Sequence, residues 1–190
     1  MEIGKVISRA FDLYFKNFAV LFVGMILAYL VGGITFGILM GPMLAGLVFV
    51  CLKVLRGEKA EIGEVFSRFD KFVPTLILLI LSGVVMGVLF AICLIPVIGW
   101  LVGLVAWPAI GAMVVFSVCG IVDKNLDFSA AVKGAIDIVK AKPVEIWLLA
   151  LILGVISGIC AIITAPIGIL GLVMIYHEGP GVPAQTGVTA

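Results

Sequence analysis

Charge is missing from most of this chain. Residues 17–52, 72–122 and 146–176 contain no Lys, Arg, Asp or Glu. Charged side chains make up 12% of the 190 residues and hydrophobic ones 64%, whereas a soluble domain is about one quarter charged and nearer half apolar. A soluble core cannot use that much apolar surface. Histidine is almost absent: His177, beside Glu178, is the only one, and a single such pair is too little for a nucleophile-and-base arrangement or a metal cluster. The four cysteines, Cys51, Cys93, Cys119 and Cys160, lie in apolar stretches without CxxC spacing and read as packing residues. Net charge is +1, and no basic run interleaved with aromatics marks a nucleic-acid surface. Finally, an ionisable group at the centre of a membrane span costs on the order of 3 kcal/mol and is kept mainly for function. None is kept here, which argues against proton relays, voltage sensing and coupling to charged substrates. No enzymatic activity, cofactor or metal is expected.

What is present is apolar length. A helix crossing a hydrocarbon core needs about 20 apolar residues, and each charge-free run is too long for one span. Prolines interrupt them at Pro42, Pro96 with Pro108, and Pro166; proline suits the first turn of a helix and disrupts its interior, so these positions predict hairpin corners. Six spans result, at about 18–39, 42–56, 73–94, 99–122, 144–164 and 166–177, of which the second and sixth are short. The fold class is an all-α integral membrane bundle.

The twelve Lys and Arg residues gather as Lys5, Arg9, Lys16; Lys53, Arg56, Lys59, Arg68, Lys71; and Lys124, Lys133, Lys140, Lys142. The hairpin corners carry none. The positive-inside rule therefore predicts a bacterial inner-membrane protein with both termini cytoplasmic. Trp100 and Trp147 stand near opposite boundaries, as an aromatic belt requires. The stretch from Phe18 to Met40 is too long for a signal-peptide core and lacks a small-residue cleavage pattern, so the N-terminus is expected to be retained.

The basic segments also repeat. IGKVISRAFD in the first resembles IGEVFSRFD in the second, and the third keeps Ala-Ile-Asp at 135–137. Apolar residues recur at helical spacing in each: Ile3, Val6, Ile7, Ala10 and Phe11; Ile62, Val65, Phe66 and Phe69; Phe128, Ala131, Val132, Ala135 and Ile136. Each segment thus predicts an amphipathic helix, and each precedes an apolar hairpin, giving three units over about 1–57, 58–123 and 124–178. Every unit crosses twice, so the units share one orientation, and a threefold axis along the membrane normal is the simplest arrangement. Residues 179–190 carry no periodicity and read as a disordered tail.

Small residues recur every four positions at Gly33, Gly37 and Gly41, at Gly83 and Gly87, and at Gly154 and Gly158, a pattern that predicts close helix packing in lipid. Thr35, Ser82, Ser117, Ser157 and Thr164 are the hydroxyls at depth; each is expected to bond a carbonyl of its own helix unless it lines a pathway.

The segment GPMLAGLVFVCLKVLRGEKAEIGEVFSRFDKF, residues 41–72, resembles a group of uncharacterised bacterial multi-span membrane proteins. More distantly, the chain is similar to the membrane domain fused to some bacterial glycerophosphodiester phosphodiesterases. The resemblance implies topology and helix packing over residues 1–177, without phosphodiesterase activity, since the likeness is to the membrane part alone. The mitochondrial carriers share six spans in three repeats, but their Pro-x-acid-x-x-base pattern is missing at Pro42, Pro74, Pro108, Pro143 and Pro166. Two functions fit these residues. One is a non-catalytic scaffold or lipid-organising protein whose partners are membrane lipid and a protein at the cytoplasmic face. The other is a transporter or channel for a neutral or lipid-like solute.

Overall fold

The computed structural model describes residues 3–95, 97–159 and 161–178. The side chains of residues 98, 157–159, 161–163 and 178 lie outside that description, as do the surroundings of Gly158 and the tail. The described residues form eight α-helices and no strand: α1 Ile3–Lys16, α2 Phe18–Ile34, α3 Met40–Leu55, α4 Phe72–Cys93, α5 Ile98–Asp123, α6 Phe128–Ala141, α7 Pro143–Ile159 and α8 Ala161–Glu178. By length and composition α4, with the turns leading into it, and α5 can cross a membrane. The pair α1 and α2 would make a third span but bends by 88°, while α3 and the described parts of α7 and α8 are shorter apolar helices.

Local chemistry sets the boundaries. The Asn17 side chain donates to the Leu13 carbonyl at 3.1 Å, satisfying the end of α1 at the bend. After Arg56 the chain closes α3 with Gly57 at φ +74. The Gly57 N–H bonds the Val54 carbonyl at 3.2 Å and the Glu58 N–H bonds the Lys53 carbonyl at 3.0 Å. This is the paired bonding of a left-handed glycine cap. Pro143 opens α7, where its missing N–H costs nothing, and Lys142 before it is non-helical.

Two prolines depart from their expected role as corners. Pro108 and Pro166 lie inside α5 and α8, so α8 begins well before Pro166 and is longer than the predicted sixth span. Proline is tolerated inside apolar helices where neighbours re-satisfy freed carbonyls. Pro108 leaves the Leu104 carbonyl without its helix donor; at the next residue the Trp147 indole N–H donates to the Val105 carbonyl at 3.0 Å. That bond draws Trp147 into helix packing.

Packing between elements follows one scheme. The inner helices α3, α5 and α8 touch one another. Each has its hairpin partner beside it, α2, α4 or α7, and each also receives the outer helix of the next hairpin: α4 on α3, α7 on α5, α2 on α8. The basic segments follow suit. Residues 62–71 pack on α3, α6 packs on α5, and α1 packs on α8, closing the ring. Burial tracks this order: the inner helices are enclosed nearly continuously from Gly41 to Val54, from Ala112 to Val122 and from Pro166 to Tyr176. By contrast α4 and the first half of α5 expose a broad apolar surface that includes Ile77, Ile80, Val84, Val88, Trp100 and Leu104.

The second basic segment corrects its prediction. Residues 62–71 form two 3-10 turns, Ile62–Phe66 and Phe69–Lys71, in place of an amphipathic α-helix. Ten residues containing Gly63 are marginal for a helix, and tertiary contact decides: Val65 is fully buried against α2 and α3. The tighter turn splits the expected face. Val65 points inward, Ile62 is half-buried, and Phe66 and Phe69 stack at 6.4 Å facing outward, 39% and 38% exposed.

Candidate functional site

The inner helices bring their last turns together at the charged end of the molecule. Cys51 of α3, Cys119 of α5 and Tyr176 of α8 are buried there as neighbours. Just beyond this layer Arg56 Nη2 and the Asp123 carboxylate form an ion pair that joins α3 to α5, and Tyr176 lies within reach of both charges. A cavity of about 310 Å³ opens beside Tyr176, lined also by Phe116, Gly120, Lys124, Gly134 and Asp137 among others. Sequence reading missed this cluster. Its signal was faint: the three apolar runs that contain Pro42, Pro108 and Pro166 are followed by Lys53 with Arg56, by Asp123, and by His177-Glu178 after Tyr176.

A second charged group surrounds residues 62–71. Lys53 Nζ lies 2.6 Å from Glu64 Oε1, the Glu61 N–H donates to Glu64 Oε2 at 3.0 Å, and Arg68 lies over the Phe49 ring at 3.8 Å. Lys71 pairs with Asp70 at 3.1 Å and bonds Asn125, tying the segment to the loop after α5. The Lys53 ammonium, followed by the Glu61 N–H, holds the Glu64 carboxyl below the ordinary carboxylate range. A lowered folded pKa contributes stability above the unfolded value and loses it as pH falls through the folded one. Acidification below the ordinary carboxylate range should therefore loosen residues 62–66, measured as lower amide protection, relative to the intrinsic exchange rate at each pH, than at neutral pH. In Glu64→Gln that pH dependence should vanish.

The predicted interfacial residues divide by element. In α1, Val6 is buried and Ile3, Ile7 and Phe11 pack on the core; in α6, Phe128 and Val132 do so, while Ile136 is partly buried. Phe15 and Phe18 stand exposed beside the α1–α2 bend, within a run of ring contacts from Phe11 to Phe22. Exposed aromatics thus flank the basic residues at the bend and at residues 62–71.

The glycines behave differently from their predicted role. Of the predicted glycines whose surroundings are described, only Gly41 lies in close contact, its Cβ position 3.0 Å from the Thr75 backbone. A Cβ at Gly33, Gly37, Gly83, Gly87 or Gly154 would meet nothing within 4 Å; these glycines do not hold helices of this chain together. Close approaches occur instead at glycines outside that set, among them Gly24 and Gly46 against Val65, Gly99 against the Ile92 and Cys93 backbone, and Gly171 against Leu153. Three of the hydroxyls bond a carbonyl of their own helix as expected, Thr35 to Val31 at 2.7 Å, Ser82 to Leu79 at 3.0 Å and Ser117 to Met113 at 2.8 Å, whereas the Thr164 hydroxyl of α8 donates across the turn to the Ile156 carbonyl of α7 at 2.9 Å. Ser157 lies outside the described side chains. Among the described residues no group of three His, Cys, Asp or Glu could hold a metal ion. In comparison with known proteins, no family model, curated protein or solved structure matches this chain.

Proposed function

We propose that this chain is a non-catalytic inner-membrane protein of six spans in three units around a pseudo-threefold axis, and that its cytoplasmic face organises lipid. The carrying observation is the packing scheme. Each basic segment seats apolar residues on the inner helix of the preceding unit, α1 on α8, residues 62–71 on α3 and α6 on α5. Two of the three leave aromatics outside, Phe15 and Phe18 at one and Phe66 and Phe69 at another. Basic side chains beside exposed aromatics suit the headgroup boundary of an anionic leaflet. A protein partner docked on the same face is the other form of this reading.

The double substitution Phe66→Asp with Phe69→Asp tests it. Both rings face outward, so the bundle should fold and insert. Loss of even about 1.4 kcal/mol of lipid contact is tenfold in a local opening equilibrium. Amide exchange across residues 62–71 in anionic nanodiscs should rise by about that factor; unchanged exchange defeats the reading.

One observation favours the transport alternative. A cavity of about 460 Å³ between α5, α7 and α8 is lined by Gly111, Ala112, Ala150, Gly154, Ala165 and Gly168 among others. Small apolar residues at that depth suit an acyl chain or a neutral solute. Flux of such a solute in proteoliposomes, blocked by Gly154→Leu, would support it.

A further inference from the structure

We propose that the corner joining α2 to α3 is a membrane-inserted tip, seated among lipid acyl chains and stopping short of the far headgroup layer. The inference rests on the inner-membrane placement proposed above and refines the depth of one hairpin. Along α2 no residue from Val20 to Ala28 is exposed, and the wrapping by the rest of the chain ends at Tyr29. Beyond it Leu30, Ile34, Phe36 and Ile38 stand open, Phe36 at 96%. Turns that face water ordinarily use Gly, Asn, Asp or Ser. This one reads Ile-Thr-Phe-Gly-Ile-Leu over residues 34–39 and holds Phe36 at φ +52, where a bulky side chain is seldom found.

The backbone of the corner is closed on itself. Every N–H from Thr35 to Met40 finds an acceptor within residues 31–37, five of them carbonyls and the sixth the Thr35 hydroxyl, which accepts from the Leu39 N–H at 3.3 Å. Pro42 removes a further donor from the first turn of α3. In the charged turn after α3, by contrast, the N–H groups of Lys59 and Ala60 have no acceptor among the described residues. Water can serve those two. Hydrocarbon offers a free N–H nothing, so a turn placed there must satisfy its own.

Two contacts set the depth. The Arg56–Asp123 pair ties the charged ends of α3 and α5 together; these helices have 16 and 26 residues, so at about 1.5 Å per residue α3 stops about 15 Å of helix short of α5. At its other end Gly41 lies against the Thr75 backbone, and Thr75 is one turn past Lys71, whose carbonyl accepts from the Thr75 hydroxyl at 2.6 Å. From that level α4 continues to Cys93, about 27 Å farther. The α4–α5 corner therefore reaches well beyond the α2–α3 corner.

Fluorine NMR of the chain in nanodiscs tests this, with 4-trifluoromethylphenylalanine placed at Phe36, at Leu94 of the α4–α5 corner, or at Val84 within α4, all exposed positions. Dissolved oxygen concentrates in hydrocarbon and a soluble gadolinium chelate stays in water, so the two relaxation effects report depth. Position 36 should respond to oxygen and hardly to gadolinium, as position 84 does, while position 94 should respond to gadolinium severalfold more. Equal responses at 36 and 94, of either kind, overturn the proposal. Gadolinium broadening at 36 with shielding at 84 defeats the inserted tip alone; broadening at 84 as well defeats the membrane reading beneath it. Phe36→Asp gives a second measure. Asp tolerates a left-handed φ better than Phe, so in water the thermal midpoint should hold or rise, whereas an acidic group in hydrocarbon is unfavourable. The midpoint in nanodiscs should fall, and an unchanged or raised one overturns the proposal.

Discussion

Gly46→Ala should be the most damaging single-methyl change in the chain. An added Cβ overlaps the Val65 carbonyl and lies 2.9 Å from the Val65 Cα, so backbone must move. Neither side can yield cheaply: α3 is enclosed on almost every face, and Val65 is fully buried with its side chain against Gly24. Forcing atoms into a packed core costs about 1–3 kcal/mol, and more against backbone. For a chain of this size about 3 kcal/mol corresponds to a fall of roughly 6–12 °C in Tm. Gly83→Ala is the control. Its Cβ enters open space on a helix, and replacing a mid-helix glycine with alanine is worth up to about 1 kcal/mol, so Tm should hold or rise. Thermal unfolding of both variants in one detergent decides the matter; equal shifts would mean that α3 and residues 62–71 are not in the contact described.

The contrast between these two glycines marks where the sequence was legible. The basic segments and the apolar stretches between them could be read from charge alone, and α1 and α6 form as their spacing predicts, whereas proline misplaced the corners at Pro108 and Pro166. Which helices lie inside could not. Leu, Val, Ile and Gly serve equally for a helix wrapped by protein and for one facing lipid, so α3, enclosed throughout, and α4, open over most of its surface, look alike as letters. For the same reason Gly83 and Gly87 carry the small-residue spacing without a neighbour, while Gly46, outside any such pattern, carries the closest contact. Residues 62–71 were misread because helical spacing over so short a segment also fits a pair of 3-10 turns, and the burial of Val65 beneath α2 and α3 is a long-range fact.

The Arg56–Asp123 ion pair was illegible because its partners stand 67 residues apart, and charges at the ends of apolar helices ordinarily reach toward water. Its enclosure makes it the second large expected effect. Asp123 is the more buried partner, with 13% of its side chain exposed against 32% for Arg56, so the pair lies between surface bridges, worth about 0–1 kcal/mol, and buried ones, whose breakage costs about 3–5 kcal/mol. Arg56→Ala should destabilise by about 2 kcal/mol on that scale, chiefly because the Asp123 carboxylate is left enclosed beside Tyr176. Asp123→Ala should cost less, since the longer Arg56 side chain can turn toward water. The double variant Arg56→Ala with Asp123→Ala should be more stable than the sum of the single losses predicts, and that excess measures the coupling. Strict additivity in thermal unfolding would show that α3 and α5 are held by packing alone. An excess of more than about 0.5 kcal/mol would make this pair the electrostatic link between α3 and α5, at the end of the bundle where the Tyr176 cavity opens.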